Sequence, residues 1–335
     1  MALAVVAVAA MLFKPKSRPP AATAPVQIAS KSSSKIPPVA APAAPEVKAP
    51  AAGTNAVLPA PPVANIDTNS VSDMLNLGNW MLEQQRFGEA EQAYRRATVI
   101  NADDEDAHFN LGIALARQAR FPEAITAYEK TLEIFPDYLE AKNNLANALI
   151  QVGRTNDAMK HLEQAVDLNP NYASALNNLG RLYALRQDWT NAIPLLERAR
   201  AADPKDLDAA FNLGNARLRK GDAAGAVAAF EAAHALNPDH LLALNMLAQA
   251  LAYAGKPDRA LEYLTNGLER HPESPELLFN IGQLYLRNGR PAEAASLFKQ
   301  VIAKAPTFAP AKTALKEAEA AAAKLNGPPP LKSEK

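Results

Sequence analysis

Residues 207–240 read LDAAFNLGNARLRKGDAAGAVAAFEAAHALNPDH, and the sequence on both sides of this stretch follows the same pattern. Its Leu213-Gly214 pair, or a close variant of it, recurs at intervals of 34 residues. The other pairs are Leu77-Gly78, Leu111-Gly112, Leu145-Ala146, Leu179-Gly180, Leu247-Ala248 and Ile281-Gly282. A fixed period of this length is typical of a protein built from stacked supersecondary repeats.

Seven units follow one another without insertion: 71–104, 105–138, 139–172, 173–206, 207–240, 241–274 and 275–308. Numbered 1–34 within each unit, position 20 is always Ala, position 24 is aromatic or Leu, and position 32 is Pro in every unit but the first. Apolar residues at helical spacing flank turn residues at positions 15–16. Each unit is therefore predicted to be a helix, a short turn and a second helix, closed by the Pro, which cannot continue a helix.

Three local features refine this prediction. Small residues at positions 8 and 20 should let the two helices of a unit approach closely. The acidic run at 103–106 is expected to cap a helix N-terminus. Pro194 stands at position 22, where a proline is unfavourable inside a helix, so the second helix of the fourth unit is predicted to begin late, near Thr190 or Asn191.

The period of 34, aliphatic-Gly at positions 7–8, Ala at 20 and Pro at 32 resemble the tetratricopeptide repeat family. The resemblance covers residues 71–308, and position 4, often Trp in that family, differs here. It implies an all-α fold, a right-handed superhelical solenoid of antiparallel helix pairs whose first helices line the concave side. Residues 309–326 continue the register and are predicted to form a capping helix, followed by a disordered tail at 327–335.

The first 66 residues do not resemble a domain. Residues 1–13 contain an apolar run, Ala2–Phe13, which is too short to span a membrane and lacks the basic segment of a signal peptide. We expect a signal or anchor remnant, whose missing segment would be encoded upstream; an Ala-rich disordered terminus is the alternative. Residues 14–66 are predicted to be a Pro/Ala-rich disordered linker. The expected location is membrane-anchored or exported to the cell envelope, with a cytoplasmic location as the alternative.

Composition excludes several functions. Residues 71–308 have 24 basic and 30 acidic side chains, whereas nucleic-acid binding needs a basic surface. The chain has no Cys, which excludes disulfides and thiolate metal sites. No phosphate-loop, dinucleotide, zinc-protease or hydrolase motif is present, and the histidines take unrelated positions in their repeats. We therefore expect a non-enzymatic monomer with no cofactor and no metal site.

Asn side chains recur on the first helix of the repeats, and Phe stands beside some of them. Position 6 is Asn76, Asn110, Asn144, Asn178, Asn212 and Asn280, position 9 adds Asn79, Asn147 and Asn215, and position 5 includes Phe109, Phe211 and Phe279. At about 100° per residue these positions lie opposite the packing stripe, so the Phe rings are not expected to be buried by their own repeat. Each Asn costs roughly 0.5 kcal/mol of helix stability relative to Ala, so an offsetting interaction is expected.

Two interpretations of the position-6 Asn remain open. The amides could bond a neighbouring helix. They could also form a ladder that binds the backbone of an extended partner segment, because an amide both donates and accepts hydrogen bonds. The Asn-lined surface is similar to the repeat region of O-linked N-acetylglucosamine transferases, but no catalytic domain follows it here. It does not match carboxylate-clamp repeats, which need Lys or Arg at positions 2, 5 and 6.

The sequence thus favours a scaffold that binds an extended protein or peptide segment in an Asn-lined concave groove, on a spacer with a possible membrane tether. One alternative is an accessory or assembly subunit of a cell-envelope or glycosyltransferase complex that acts by positioning. A third is a self-assembling structural rod.

Overall fold

The computed structural model describes residues 66–325, and every regular element in that range is an α-helix. The helices are α1 Val71–Glu83, α2 Phe87–Ile100, α3 Glu105–Arg117, α4 Phe121–Ile134, α5 Leu139–Gln151, α6 Thr155–Leu168, α7 Ala173–Leu185, α8 Trp189–Ala202, α9 Leu207–Lys220, α10 Ala223–Leu236, α11 Leu241–Tyr253, α12 Pro257–Arg270, α13 Pro275–Arg287, α14 Pro291–Lys304 and α15 Ala309–Leu325. The predicted N-terminal segment, nearly all of the predicted linker and the predicted tail lie outside the described residues.

The described residues divide into two compact units, 66–175 and 176–325, with the boundary inside α7. In the first unit α1–α6 form three helix pairs, and each helix packs against the next along the chain. In the second unit the helices from α8 to α15 pack in succession in the same way. First helices of neighbouring repeats also contact each other within each unit, as α3 contacts α5 and α9 contacts α11. The predicted all-α stack of helix pairs is confirmed.

Five of the first helices begin after a capping side chain that stands just before position 1. Asp104 accepts a hydrogen bond from the backbone N–H of Ala107 at 2.8 Å, as the acidic run predicted. Ser70, Asp206, His240 and Ser274 cap their helices in the same way. These side chains satisfy backbone donors that have no partner within the helix, so at these five junctions the capping residue defines where the first helix starts.

The turn between the two helices of a repeat depends on one residue with a left-handed backbone. Position 15 has positive φ in all seven repeats, from 58° at Ala119 to 96° at Gly221. In six of the repeats the second helix then begins in one of two ways. Asp188 and Asp222 accept a hydrogen bond from the backbone of the residue three positions later, whereas Arg at the same position pairs with an acidic side chain three residues later in the first, second, third and seventh repeats.

The two helices of a repeat meet where position 8 faces position 24. A Cβ atom built on Gly214 would lie 2.6 Å from the ring of Phe230, and one on Gly112 would lie 2.5 Å from the ring of Tyr128. Real Cβ atoms do not approach other atoms so closely, so position 8 has no room for a side chain opposite an aromatic ring. Position 20 is fully buried in every repeat, which is why it is always Ala. The predicted close approach is confirmed.

The prediction for the fourth repeat was wrong. Helix α8 begins at Trp189, as the second helices of the other repeats do, and Pro194 lies inside it. Asp188 caps the helix through the N–H of Asn191 at 3.2 Å, and Trp189 packs against the core, so the start is held in place. Pro194 is the sixth helical residue, and its missing N–H removes a single hydrogen bond near the helix start.

Helix α15 covers the last repeat. Ala311, Ala314 and Ala318 are buried against a core that includes Phe298 and Val301. The opposite face is charged, with Lys312, Lys316, Glu317 and Glu319 exposed. This amphipathic arrangement is what the terminal element of a repeat stack needs in order to end in water.

Two histidines on second helices are placed where protonation is unfavourable. Burial lowers the pKa of His161 on α6, and the charge of Lys142 lowers it further. Burial also lowers the pKa of His234 on α10, with Arg270 adding to the effect. The Nδ1 atom of each ring is buried and has no hydrogen-bond partner in the part of the chain that the structure describes.

The position 8 contact predicts a specific pattern of stabilities. Gly214→Ala should lower the free energy of unfolding by about 1–3 kcal/mol, because the new methyl group overlaps the Phe230 ring. Adding Phe230→Leu should recover part of this loss, since the third and sixth repeats combine Ala at position 8 with Leu at position 24. Urea denaturation of the two single variants and the double variant measures the coupling.

Gly88→Ala is the matched control for that series. Gly88 lies within α2, and a Cβ atom there would have no neighbour within 4 Å. The substitution should therefore stabilise the protein by up to about 1 kcal/mol through helix propensity. Equal effects of Gly88→Ala and Gly214→Ala would contradict the packing argument.

The two half-buried histidines predict a loss of stability in acid. Their folded pKa values lie below the unfolded value of about 6.5, so the unfolded chain binds more protons as the pH falls through that value, and protonation favours unfolding. The thermal midpoint should therefore fall between pH 7.5 and 5.5, and His161→Gln with His234→Gln should reduce that fall. An unchanged fall in the double variant would show that other groups cause it.

Candidate partner-binding surface

The position-6 side chains differ in how far they reach solvent. Asn76 is exposed and Asn178 is only 9% exposed. The other four are half-buried: Asn110, Asn144, Asn212 and Asn280. The row therefore includes side chains that a partner can reach and one that is mostly covered by its own protein.

Two position-6 amides bond the preceding repeat. Asn212 Nδ2 donates to Asn177 Oδ1 at 3.0 Å, and Asn280 Nδ2 donates to Asn245 Oδ1 at 2.8 Å. The acceptors stand at position 5 of the repeat before, on the neighbouring first helix. These bonds cross the seam between adjacent first helices, so at these two positions the amide has a structural role. One N–H and the carbonyl of each donor amide are left for other partners.

The position-9 side chains stand one helical turn further along. Asn79 Oδ1 accepts a hydrogen bond from the Tyr94 hydroxyl at 2.7 Å, which joins the two helices of the first repeat. Asn147 Oδ1 is buried and has no hydrogen-bond partner among residues 66–325. Asn215 is half-buried. We call the Asn side chains at positions 6 and 9 within each unit its amide surface.

The expectation for the three Phe rings was wrong, because their own repeats pack against them. Phe279 is 3% exposed and lies 5.5 Å from the ring of Phe298 and 5.2 Å from that of Phe308, between centroids. Phe109 and Phe211 are half-buried. Position 5 does not lie opposite the packing stripe, since in these three repeats its ring contacts the position-24 ring on the second helix of the same repeat.

Each of these Phe residues belongs to an aromatic cluster within one repeat. Phe109 lies 6.0 Å from Tyr128 and 4.8 Å from Tyr138, between ring centroids. Phe211 lies 5.7 Å from Phe230 and 5.9 Å from His240. In all three repeats the partners stand at positions 24 and 34, so the rings join both helices to the residue that precedes the next repeat. Such offset and edge-to-face pairs stabilise beyond their buried area.

In six of the seven repeats the residue at position 5 follows the residue at position 24, and the first repeat, with Leu75 and Tyr94, is the exception. Where position 24 is aromatic in the second, fifth and seventh repeats, position 5 is Phe; where position 24 is Leu in the third, fourth and sixth, position 5 is Asn. Two of these Asn residues, Asn177 and Asn245, hold the seam bonds and were missed by reading position 6 alone. Their pairing with Leu at position 24 is a signal that the sequence contains.

Among residues 66–325, no group of three or more His, Asp or Glu side chains could hold a metal ion. Within the same range no helix has the length and apolar character needed to cross a bilayer.

Comparison with known proteins identifies the repeat. Family profiles described as tetratricopeptide repeat match residues 103–171, 143–206 and 245–307, and one described as TPR repeat matches 78–119. The chain belongs to the tetratricopeptide repeat family. A profile described as anaphase-promoting complex, cyclosome, subunit 3 also matches residues 185–267 of this tetratricopeptide repeat protein. A search of the curated proteins found no match.

Solved structures share the fold. The C-terminal part of a repeat-containing protein of Cytophaga hutchinsonii is 16% identical, with 72% of this chain and 99% of that chain covered and a TM-score of 0.58. PilF of Pseudomonas aeruginosa is 18% identical, with 62% and 94% covered and a TM-score of 0.55. A tetratricopeptide repeat protein of Parabacteroides merdae is 19% identical, with 74% and 98% covered and a TM-score of 0.52. These similarities show the fold, and the tetratricopeptide repeat profiles indicate a protein interaction scaffold.

The seam bonds predict opposite effects for two Asn residues at the same repeat position. Asn212→Ala should destabilise the protein by about 1 kcal/mol, because the Asn177 carbonyl loses its donor. Asn76→Ala, the control, should instead stabilise by roughly 0.5 kcal/mol through helix propensity, since Asn76 is exposed. Chemical denaturation compares the two, and a stabilising Asn212→Ala would show that the seam bond contributes nothing.

Proposed function

We propose that this tetratricopeptide repeat protein is a non-enzymatic scaffold that binds an extended protein segment on its amide surface. The observation that carries the proposal is the recurrence of half-buried Asn side chains at position 6 of the first helices, interrupted in the second unit by Met246 on α11. Asn110 and Asn144 supply them in the first unit, Asn212 and Asn280 in the second, and Asn215 adds a position-9 amide there. Side-chain amides suit this role because each can bind a peptide C=O and a peptide N–H.

The spacing of the helices supports an extended ligand. Packed helices lie about 8–10 Å apart, and an extended chain advances about 3.3 Å per residue. A segment that crosses the first helices would meet the next repeat about every three residues.

The seam bonds leave this role possible and make it more specific. Asn212 and Asn280 each use one N–H to hold the neighbouring first helix, which fixes the side chain in one orientation. A fixed amide loses less conformational entropy on binding than a mobile one, so the remaining N–H and carbonyl are preorganised. The same bonds offset part of the helix-propensity cost of the Asn residues.

The polar outer face of α15 favours a scaffold over a rod that assembles end to end. Lys312, Lys316 and Glu317 are exposed there, and a stacking interface would bury these charges. The aromatic clusters do not contribute to the proposed binding surface, because their rings are held by their own repeats.

Selection of linear peptides tests the proposal without knowledge of the natural partner. Phage-displayed peptides of about twelve residues, which span about 40 Å when extended, are selected against the full chain. Binding of the strongest peptides to variants is then measured by calorimetry. Asn215→Glu should weaken binding at least about tenfold, because a carboxylate repels backbone carbonyls; the fold should accept it, since Gln249 and Gln283 stand at the same repeat position.

Ala228→Glu is the matched control. Ala228 is exposed on the second helix α10 of the same repeat, so the charge change is identical and the location differs. Peptide binding should be unaffected by this substitution. Equal losses in the two variants, or selected peptides that ignore both, would place binding elsewhere on the protein.

A further inference from the structure

Arg181 is a polar residue of the second unit that the packing of its repeat does not explain. It stands at position 9 of the fourth repeat, on α7. Its Nη2 atom is buried and donates to no acceptor among residues 66–325. The residue as a whole is half-buried, so part of its surface still faces solvent.

The charge of this guanidinium is poorly compensated. No carboxylate in the described range forms an ion pair with Arg181. Burial lowers the pKa of Arg181, and the charge of Asp208 on α9 acts in the opposite direction. Removing a charge from water without a partner is unfavourable, so an anion on the solvent side of Arg181 would be bound with a favourable change in electrostatic energy.

The surroundings of Arg181 are the amide surface. Asn177 and Asn178 precede it by four and three residues, so they share its face of α7. Asn177 is held by Asn212 of the next repeat, and Asn215 repeats the position of Arg181 there. Arg181 is the single charged residue at position 9 of the seven repeats; the others are Asn79, Ile113, Asn147, Asn215, Gln249 and Gln283.

We infer that Arg181 binds a carboxylate of the partner segment and thereby sets which stretch of that segment lies on the amide surface. This inference rests on the proposed function. Amides that bind backbone groups accept any ligand sequence. They therefore add affinity but do not determine which residues of the ligand lie against which repeat. A guanidinium makes charge-assisted hydrogen bonds to a carboxylate, and one such contact in a neutral row selects one position of the ligand.

The carboxylate can belong to an Asp or Glu side chain or to a chain terminus. Two peptide libraries distinguish these sources, one fused to the phage coat at both flanks and one displayed with a free C-terminus. Each is selected against the full wild-type chain. Peptides from the first library should share an acidic residue at one position, whereas enrichment from the second library alone would identify the terminal carboxylate as the ligand of Arg181.

The role of Arg181 is then measured by a double-mutant cycle. Arg181→Gln should weaken binding of a selected peptide about 10- to 100-fold, the range expected for a hydrogen bond between charged groups. Replacing the shared Asp or Glu of that peptide by its amide should weaken binding to the wild type equally and have no further effect on Arg181→Gln. Arg200→Gln, which removes a charge from the second helix α8, is the control and should leave affinity unchanged.

A second measurement needs no peptide. If Arg181 is held without an anion, Arg181→Met should raise the thermal midpoint of the ligand-free protein, because it removes a buried unpaired charge. A lowered midpoint would show that Arg181 is already paired within the protein and would overturn the inference.

These outcomes distinguish failure of the inference about Arg181 from failure of the proposed function. Selected peptides that bind wild type and Arg181→Gln equally would overturn the role of Arg181 and leave the scaffold proposal standing. Failure to select any peptide from either library would overturn both.

Discussion

The close approach of the two helices at position 8 is the constraint on which the rest of the structure depends. In five repeats a Gly stands there, and a Cβ atom on it would lie within 2.4–2.7 Å of the side chain at position 24. The second helix can therefore lie against the first with a large side chain, such as Phe230 or Tyr128, fully buried between them. Because Ala at position 20 is also fully buried, both helices approach over more than one turn, and each pair becomes a rigid unit that can be stacked.

The seam between neighbouring first helices follows from that unit. Once each pair is fixed, position 5 of one repeat and position 6 of the next meet across the seam, and the residues there must be compatible. At two seams an amide pair, such as Asn177 with Asn212, joins the two helices. Where position 5 is Phe, as at Phe211, the ring instead packs within its own repeat against Phe230 and His240. Both arrangements give the position-5 side chain a partner, but the amide pair also leaves hydrogen-bonding groups near solvent. The seam therefore links packing to the proposed binding surface.

The sequence predicted the helices and the repeat register, and the structure agrees with both. The prediction failed at Pro194 because the unfavourable effect of a proline inside a helix was outweighed by the Asp188 cap, the core contact of Trp189 and the register of the repeat. Together these fixed the start of α8 at Trp189. The candidate site was predicted in outline, since the Asn positions are visible as a periodic row. The sequence could not show which of these Asn side chains a partner can reach, because their exposure differs. Asn76 is exposed, whereas Asn178 is 9% exposed.

The sequence by itself determined the period, the two helices of each repeat, the turns and the small residues at positions 8 and 20. These depend on propensities and on contacts within 34 residues, which recur seven times and so stand out from the rest of the chain. Only the tertiary structure decided which Asn bonds a neighbour, which Phe is covered and that Arg181 has a buried nitrogen without an acceptor. Those facts depend on how adjacent first helices lie against each other, and the seam bonds join residues 35 positions apart on different helices, where helical periodicity gives no information.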